Sequence, residues 1–519
     1  MRIATNVSAI VSNNALQKSQ DRLTKSIARL SSGYKINSSS DDAAGYAISE
    51  KMRLQLRGLN QADNNAADGV SVLHTAEGAM EEIQSMLARM KELSVQAANG
   101  TNSVDERSAI QSEIDSLNSE IDRISSNTEF NSQTLISGNL SRRVYSNYEG
   151  VNQIEVSDNF VAGNYGITIT QDARQAIVVG NGAVTMSDTA TVTKEQAGTI
   201  SMNGYGIEIS EGDTLAGIMG KLVDGADKIG GRVFAITAGA TNDTKVNGTD
   251  YAGYEPQTSY AGNNIVFMTK ESGSSKTMNI TCSNAELANM LGIATAATNG
   301  GMYAEGSDVQ AEFTLDNDGK RVGFADSAVI STSGTRVTVK DVNNRTFVTD
   351  VPSNVAGTQF SDTVKADDKS TATSTQTAKV TQEVTDVGTM SVHVGANENQ
   401  VILIDIPAVT SYTLGTENLN VMTSVTASEA IDTIDTAVAY ANRVRSQMGA
   451  YENRFEHTTN NLGTASENLT SAISTMTDTD MAEEMTEYTS LNVIRADNFC
   501  CDGDRLPRYG NAVPHAACS

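Results

Sequence analysis

Both ends of this chain carry apolar residues at heptad spacing, and neither end holds a partner that could bury them. Near the start, Leu16, Leu23 and Leu30 recur every seven residues, with Ile27 filling the intermediate seam position. Val70, Leu73, Met80, Ile83, Leu87 and Met90 then step by three and four with one gap of seven. Ile110, Ile114, Leu117, Ile121 and Ile124 do the same without a gap. Toward the far end, Ile431, Ile434, Val438 and Ala441 lead into Met448, Tyr451 and Phe455. Leu462, Ala465, Leu469, Ala472 and Met476 complete that stripe, with Thr458 its polar member. Seams of this period pack helices side by side as coiled coil. The simplest fold therefore pairs the two ends, and the chain between them becomes an excursion from a helical rod.

Local signals divide the helices. Ser31-Ser32-Gly33 stops the first, because glycine takes a positive φ without strain. The polar link from Asn37 to Asp42 offers N-cap residues for the second. Asn99-Gly100 reads as a turn, and Ser103 with Glu106 as a capping box. Gly58, Gly69 and Gly78 each cost a helix interior roughly 0.5–1 kcal/mol against alanine. Close approach of a neighbouring helix is the expected reason for them. From about Ser428 to Arg495 the pattern predicts one helix of roughly 65 residues, about 100 Å long.

From about 140 to 420 the period changes to two. Gly166–Thr170, Arg336–Lys340 and Gln400–Ile404 alternate as strands, separated by turn residues at antiparallel-sheet intervals. A more organised unit runs from about Gly198 to Gly292. It opens with a hairpin over 199–210 and continues into a helix near Thr214–Val223. Strands follow near 232–237, 264–269 and 276–281. Ser361–Asp386, rich in Thr, Lys, Asp and Ser, reads as an exposed loop or linker. The fold class is α+β: an antiparallel coiled-coil rod from both chain ends, with a β-rich central insertion of one or two domains.

Charge and composition remove several function classes. With 37 basic against 63 acidic residues the formal net charge is -26, which repels nucleic acid and anionic membrane. The four histidines (74, 393, 457 and 515) are scattered, no His-Glu-x-x-His or Cys-x-x-Cys occurs, and no metal site or cofactor is expected. No segment reaches the roughly 18 apolar residues of a membrane span. The start lacks a signal-peptide core, so the chain reads as cytosolic or as exported without cleavage. The absence of Trp and the low Pro content suit long helices and polar β surfaces better than a catalytic barrel.

Leu30-Ser31-Ser32-Gly33-Tyr34-Lys35-Ile36-Asn37 and Asp41-Asp42-Ala43-Ala44-Gly45-Tyr46-Ala47-Ile48-Ser49 resemble the amino-terminal signature of bacterial flagellins. Asn453-Arg454-Phe455-Glu456-His457, Asn460-Asn461-Leu462 and Met481–Thr486 resemble the carboxy-terminal one. The resemblance covers about 1–140 and 425–495, and the 198–292 unit is similar to a module inserted in many flagellins. It implies inner-tube helices at 1–42 and 480–519, a rod domain with short β elements at 43–175 and 405–479, and β-rich outer variable domains at 176–404. It also implies self-assembly into an extracellular filament for motility and export by the flagellar type III apparatus. A dedicated export chaperone and the filament cap are implied partners. Met86 and Leu93 lie off the Val70–Met90 seam with Arg89 between them on a second face. In this family that region, with a nearby acid, contacts neighbouring subunits and a Toll-like receptor. Arg89, Leu93 and Glu113 occupy the matching positions. The competing reading is a non-polymerising secreted adhesin or receptor ligand, or a hook–filament junction protein.

The sequence departs from the family after Arg495, where a helix is expected to run on for about 24 residues. Residues 496–519 instead hold Pro507, Pro514, Cys500, Cys501 and Cys518. The prolines forbid an uninterrupted helix, and the segment reads as a reading-frame shift near codon 496. As it stands, the tail removes about three heptads of seam, on the order of 10 kcal/mol of apolar burial per subunit.

Overall fold

A computed structural model describes residues 7–157, 160–180, 182–237, 261–293, 302–316, 319–341, 345–353, 355–356, 359–360, 372–374, 377–385 and 387–503. The helices among them are α1 (Val7–Ser32), α2 (Ala43–Ala98), α3 (Val104–Asn127), α4 (Leu215–Lys228), α5 (Ala285–Met290), α6 (Ser411–Leu414), α7 (Ser424–Thr477) and α8 (Met481–Gly503). The chain divides into two compact units. The first comprises 1–70, 392–402 and 453–519, and the second 71–391 and 403–452. The fold class is the α+β arrangement expected, with long helices from both chain ends and strands between them.

In the first unit α1 ends as its sequence requires. Gly33 adopts φ +75°, and its N–H donates to the Arg29 carbonyl at 2.8 Å. Asp42 then caps α2, its Oδ1 accepting from the Ala44 and Gly45 N–H groups at 3.0 Å each. The single helix expected over 428–495 is in fact two, broken at 478–480. Asp480 caps the second of them, its Oδ1 accepting from the Ala482 N–H at 2.9 Å. The break is also held from outside. Lys35 N–H donates to the Thr477 carbonyl at 2.6 Å, and Thr479 N–H to the Gly33 carbonyl at 3.0 Å. The two interruptions, one after α1 and one before α8, thus bond to each other as an isolated antiparallel bridge between Tyr34 and Asp478.

The seam of α1 also differs in detail. Leu23 is buried and Leu16 and Leu30 are half-buried, but Ile27 is 49% exposed. Steps of three and four from Leu16 reach Ser19 and Ser26, and both serines are buried. Ile27 lies one residue past Ser26, about 100° further round the helix, on the face left uncovered. In the same unit, Phe455 and Leu462 of α7 are buried and Leu469 is half-buried, with Ile473 closing the stripe.

Gly58, Gly69 and Gly78 of α2 have three different surroundings. A Cβ on Gly69 would meet the Phe455 ring at 3.0 Å, the close helix approach expected. A Cβ on Gly58 would meet Ala396, which lies in a turn rather than a helix, also at 3.0 Å. Gly78 has nothing within 4 Å of its Cβ position and is a tolerated weak spot.

In the second unit α2 and α7 run antiparallel. His74 faces Glu452, Gln84 faces Asn442 and Lys91 pairs with Asp435, each step along α2 matching an equal step back along α7. Leu73, Met80, Ile83, Leu87, Met90, Ile434 and Met448 are buried. On α3, Ile110, Ile114 and Ile121 are buried, Leu117 is half-buried, and the expected Ser103–Glu106 capping box is present.

Among the described residues the strands pack chiefly into two cores. Sheet order 302–305, 277–282, 198–202, 205–209 packs with the sheet 175–179, 263–272, 231–237 and with α4 and α5 around Ile200, Ile218, Leu222, Phe267, Met278 and Leu287. The hairpin within it turns at Asn203-Gly204, both at positive φ. That pair suits the two-residue turn which follows strand twist. The second core joins sheets 310–313, 163–171, 378–384, 144–146 and 329–333, 336–340, 346–350, 152–156. At its centre Phe160, Tyr165, Phe324 and Phe347 meet edge to face or tilted, with centroids 5.1–5.8 Å apart along the closest pairs. The segment expected to be a loop at 361–386 ends in a central strand, Ala378–Val384, with Ala378, Val380, Gln382 and Val384 turned inward. Residues 361–371 lie outside the described residues. The alternation A-K-V-T-Q-E-V is a strand signal that the polar composition of the wider window obscures.

Candidate interaction surfaces

Among the described residues, several large apolar side chains of α1 and α8 stay exposed. Val7, Ile10, Val11 and Ile27 are exposed on α1, and Met481, Met485, Val493 and Ile494 on α8, Val493 at 68%. Between the two helices the contact is mixed rather than oily. Leu23 and Leu491 are buried, but so are Ser19, Ser26 and Glu484. Arg29 stands 3.6 Å from the Glu484 carboxylate, whose Oε1 has no hydrogen-bond partner among the described residues. A buried carboxylate so loosely paired contributes little stability. The backbone of α8 stays helical to Gly503, past the expected departure at 496; Pro507, Pro514 and Cys518 lie outside the described residues.

The second candidate surface lies on α2 and α3. Arg89 is half-exposed and forked onto Glu113, with Nε at 3.0 Å and Nη2 at 2.9 Å from Oε1, while Nη1 reaches Glu92 at 3.2 Å. The Glu113 hydrogen bond is the main reason its guanidinium is held above the ordinary arginine range. Leu93, one turn further along α2, is buried. At 2% exposure it continues the buried seam of Leu87 and Met90, which runs on through Ser94 to Ala97. The expected second face therefore consists of Arg89, Glu92 and Glu113 with half-buried Met86, and Leu93 leaves it. Leu93 is three residues beyond Met90, one more step of the same seam.

Where the strand Asn152–Val156 packs on α7, Glu155 is buried and accepts from Arg443 Nη2 at 2.7 Å. Burial pushes its carboxyl above the usual range, against the pull of Arg443. Tyr440 beside them is also driven upward by burial, and its hydroxyl donates to the Ala408 carbonyl at 2.8 Å. These groups act as a structural clasp.

Scattered histidines gave no metal site in the sequence, yet the fold brings His74, Glu77 and Glu452 together. One ligand atom from each lies within 4.8 Å of the other two. His74 and Glu77 are three apart on α2, but Glu452 comes from the far end of the chain, so no local motif carries the cluster. Among the described residues no helix is long and apolar enough to cross a membrane.

Comparison with known proteins places relatives at both ends and along the whole length. The profile described as the bacterial flagellin N-terminal helical region matches residues 3–141, and that of the C-terminal helical region matches 431–496. A flagellin of Clostridium tyrobutyricum is 30% identical over 493 residues, 93% of this chain and 94% of that protein. A flagellin of Salmonella typhimurium is 30% identical over 536 residues, covering 99% of this chain and 98% of its own length. Flagellin B of Vibrio anguillarum is 28% identical over 496 residues, 95% of this chain and 94% of its own.

Proposed function

The chain belongs to the bacterial flagellin family and is a structural subunit of the extracellular flagellar filament, not an enzyme, and from that premise we propose that α1 and α8 supply the faces by which subunits join. The observation that carries this is the set of large apolar side chains left exposed on them, Ile10, Ile27, Val493 and Ile494 among them. Eight large apolar side chains exposed on two adjacent helices are costly in water, at ~25 cal/mol per Å². Copies of the same chain, stacked, remove that cost. The finer division into terminal, rod and outer parts near 42, 175, 404 and 479 belongs to this proposal, with the variable β-rich part turned outward.

Four further roles come with it. The chain leaves the cell unfolded through the flagellar type III apparatus, its terminal helices being the segments least able to fold alone. Before export a chaperone covers the apolar face of α8, and at the growing tip the filament cap receives the subunit. In monomeric form the Arg89–Glu92–Glu113 surface binds a Toll-like receptor. Arg89→Ala weakens that binding, and unchanged affinity of the variant would remove the receptor role.

Salt-induced polymerisation of purified monomer, followed by sedimentation and electron microscopy, tests the main proposal. Ile27→Asp places a charge among these exposed side chains, at a position that is 49% exposed. It leaves helix content unchanged and lowers polymer yield at least about tenfold, which corresponds to about 1.4 kcal/mol per joining step. Polymerisation of the variant at the parent's rate, or of neither chain, defeats the proposal.

A further inference from the structure

We propose that His74, Glu77 and Glu452 form a binding site for a divalent transition-metal ion, zinc foremost, that fastens α2 to α7. His74 and Glu77 stand three apart on α2 and so project from one face of it. Glu452 reaches them from the antiparallel α7. His74 Nε2 is 3.4 Å from Glu452 Oε1. Bonds of ~2.0–2.2 Å in a tetrahedral zinc site put ligand atoms about 3.3–3.6 Å apart. One edge of the tetrahedron is therefore already set, and the other two, no longer than 4.8 Å, close by rotation of half-exposed side chains.

The donor set narrows the ion. One imidazole nitrogen with two carboxylates suits zinc, cobalt and nickel, whereas calcium and magnesium favour oxygen alone. Two carboxylates also neutralise a dication, leaving water in the fourth position. Arg445 supports the arrangement from behind. It donates to Glu77 Oε1 at 3.2 Å and to Gln84 Oε1 at 2.6 Å, and so restrains the Glu77 carboxylate. Outer partners of this kind orient ligating carboxylates. Without metal, the His74–Glu452 contact is an ion pair only when the imidazole is protonated. With metal, the tie between the helices holds when it is neutral.

Cobalt(II) titration of the full-length chain, read by calorimetry and by its visible spectrum, tests the site. The cysteines are first alkylated, so that thiolates near the C-terminus cannot bind. One ion per chain is expected, with a spectrum lacking sulfur charge transfer. His74→Ala abolishes the binding, and Glu452→Gln weakens it at least about tenfold. A rise in melting temperature on adding zinc to the parent disappears in His74→Ala, whose metal-free melting is unchanged. No uptake by the alkylated parent, or equal uptake and affinity in His74→Ala, overturns the proposal.

Discussion

The pair α1 and α8 and the β-rich core around Phe267 answer the same sequence problem in opposite ways. In the core, Ile200, Ile218, Leu222, Phe267 and Met278 are all fully buried, and two sheets and two helices enclose them. Along α1 the inward positions alternate leucine with serine, α8 offers Glu484 and Leu491, and further valine, isoleucine and methionine side chains of both helices stay exposed. One region completes its own burial. The other leaves that burial to be finished by neighbours. Low self-sufficiency at the ends fits a filament subunit whose end helices are covered by neighbouring copies, as proposed above.

The sharpest way to break this contrast is to damage the closed region. Phe267→Ala removes a fully buried ring from the core, at a cost of about 3–5 kcal/mol. Calorimetry of the monomer reads it as a fall in the transition of the β-rich part, with the helix signal of α1 and α8 unaffected. A uniform fall in every transition would mean that the two regions fold as one, and the contrast would fail.

A smaller effect belongs to the open region. Asp480→Ala deletes the cap on α8 and costs about 0.5–2 kcal/mol of local helix stability. Hydrogen exchange localises it: amides of 481–484 lose protection while those of 263–272 do not. Equal loss in both segments would again erase the distinction.

Most of the helical framework was legible in residue spacing. Gly33, the Asp42 cap and the Ser103–Glu106 box each stand where their local chemistry requires, and the hairpin at Asn203-Gly204 does too. What escaped were features set by distant partners. Thr477-Asp478-Thr479-Asp480 has the composition of a break, but a continuing apolar stripe outweighed it. The deciding bonds come from Gly33 and Lys35, more than four hundred residues away. Ile27 was placed on the seam because it is apolar, whereas the register of Leu16, Leu23 and Leu30 puts Ser26 there. Leu93 reads as a surface residue only if the seam ends at Met90, whereas one more step of three carries the seam to it. The clustering of His74 with Glu452 and of Glu155 with Arg443 follows from chain reversal, which spacing alone does not encode.

The glycines of α2 give a paired test with a change of sign. At Gly78 alanine meets open space and gains about 0.5–1 kcal/mol of helix propensity. At Gly69 the same methyl presses on the Phe455 ring at 3.0 Å, and that ring is fully buried. Gly69→Ala therefore loses the gain and lowers the melting temperature, while Gly78→Ala raises it. If both raised it equally, the close helix approach would have no energetic weight.

The smallest effect concerns the clasp inside the self-sufficient part, where Glu155 meets Arg443. Burial raises the Glu155 carboxyl above its ordinary 4.5, so the folded chain binds this proton more tightly than the unfolded chain does. Stability from that difference is fully present below the unfolded value and is lost as pH rises through the higher folded value. Glu155→Gln carries no titrating group at this position. The stability of the parent relative to the variant should thus decline as pH climbs above 4.5, then level off once the carboxylate is ionised in both states. Arg443 is 38% exposed and can take up water when its partner is neutral, which adds an offset that does not vary with pH. Melting curves of both chains across this range give the slope directly. A parent that instead gains on the variant with rising pH would mean that the Arg443 ion pair outweighs burial, and the clasp would then be an attraction rather than a tolerated cost.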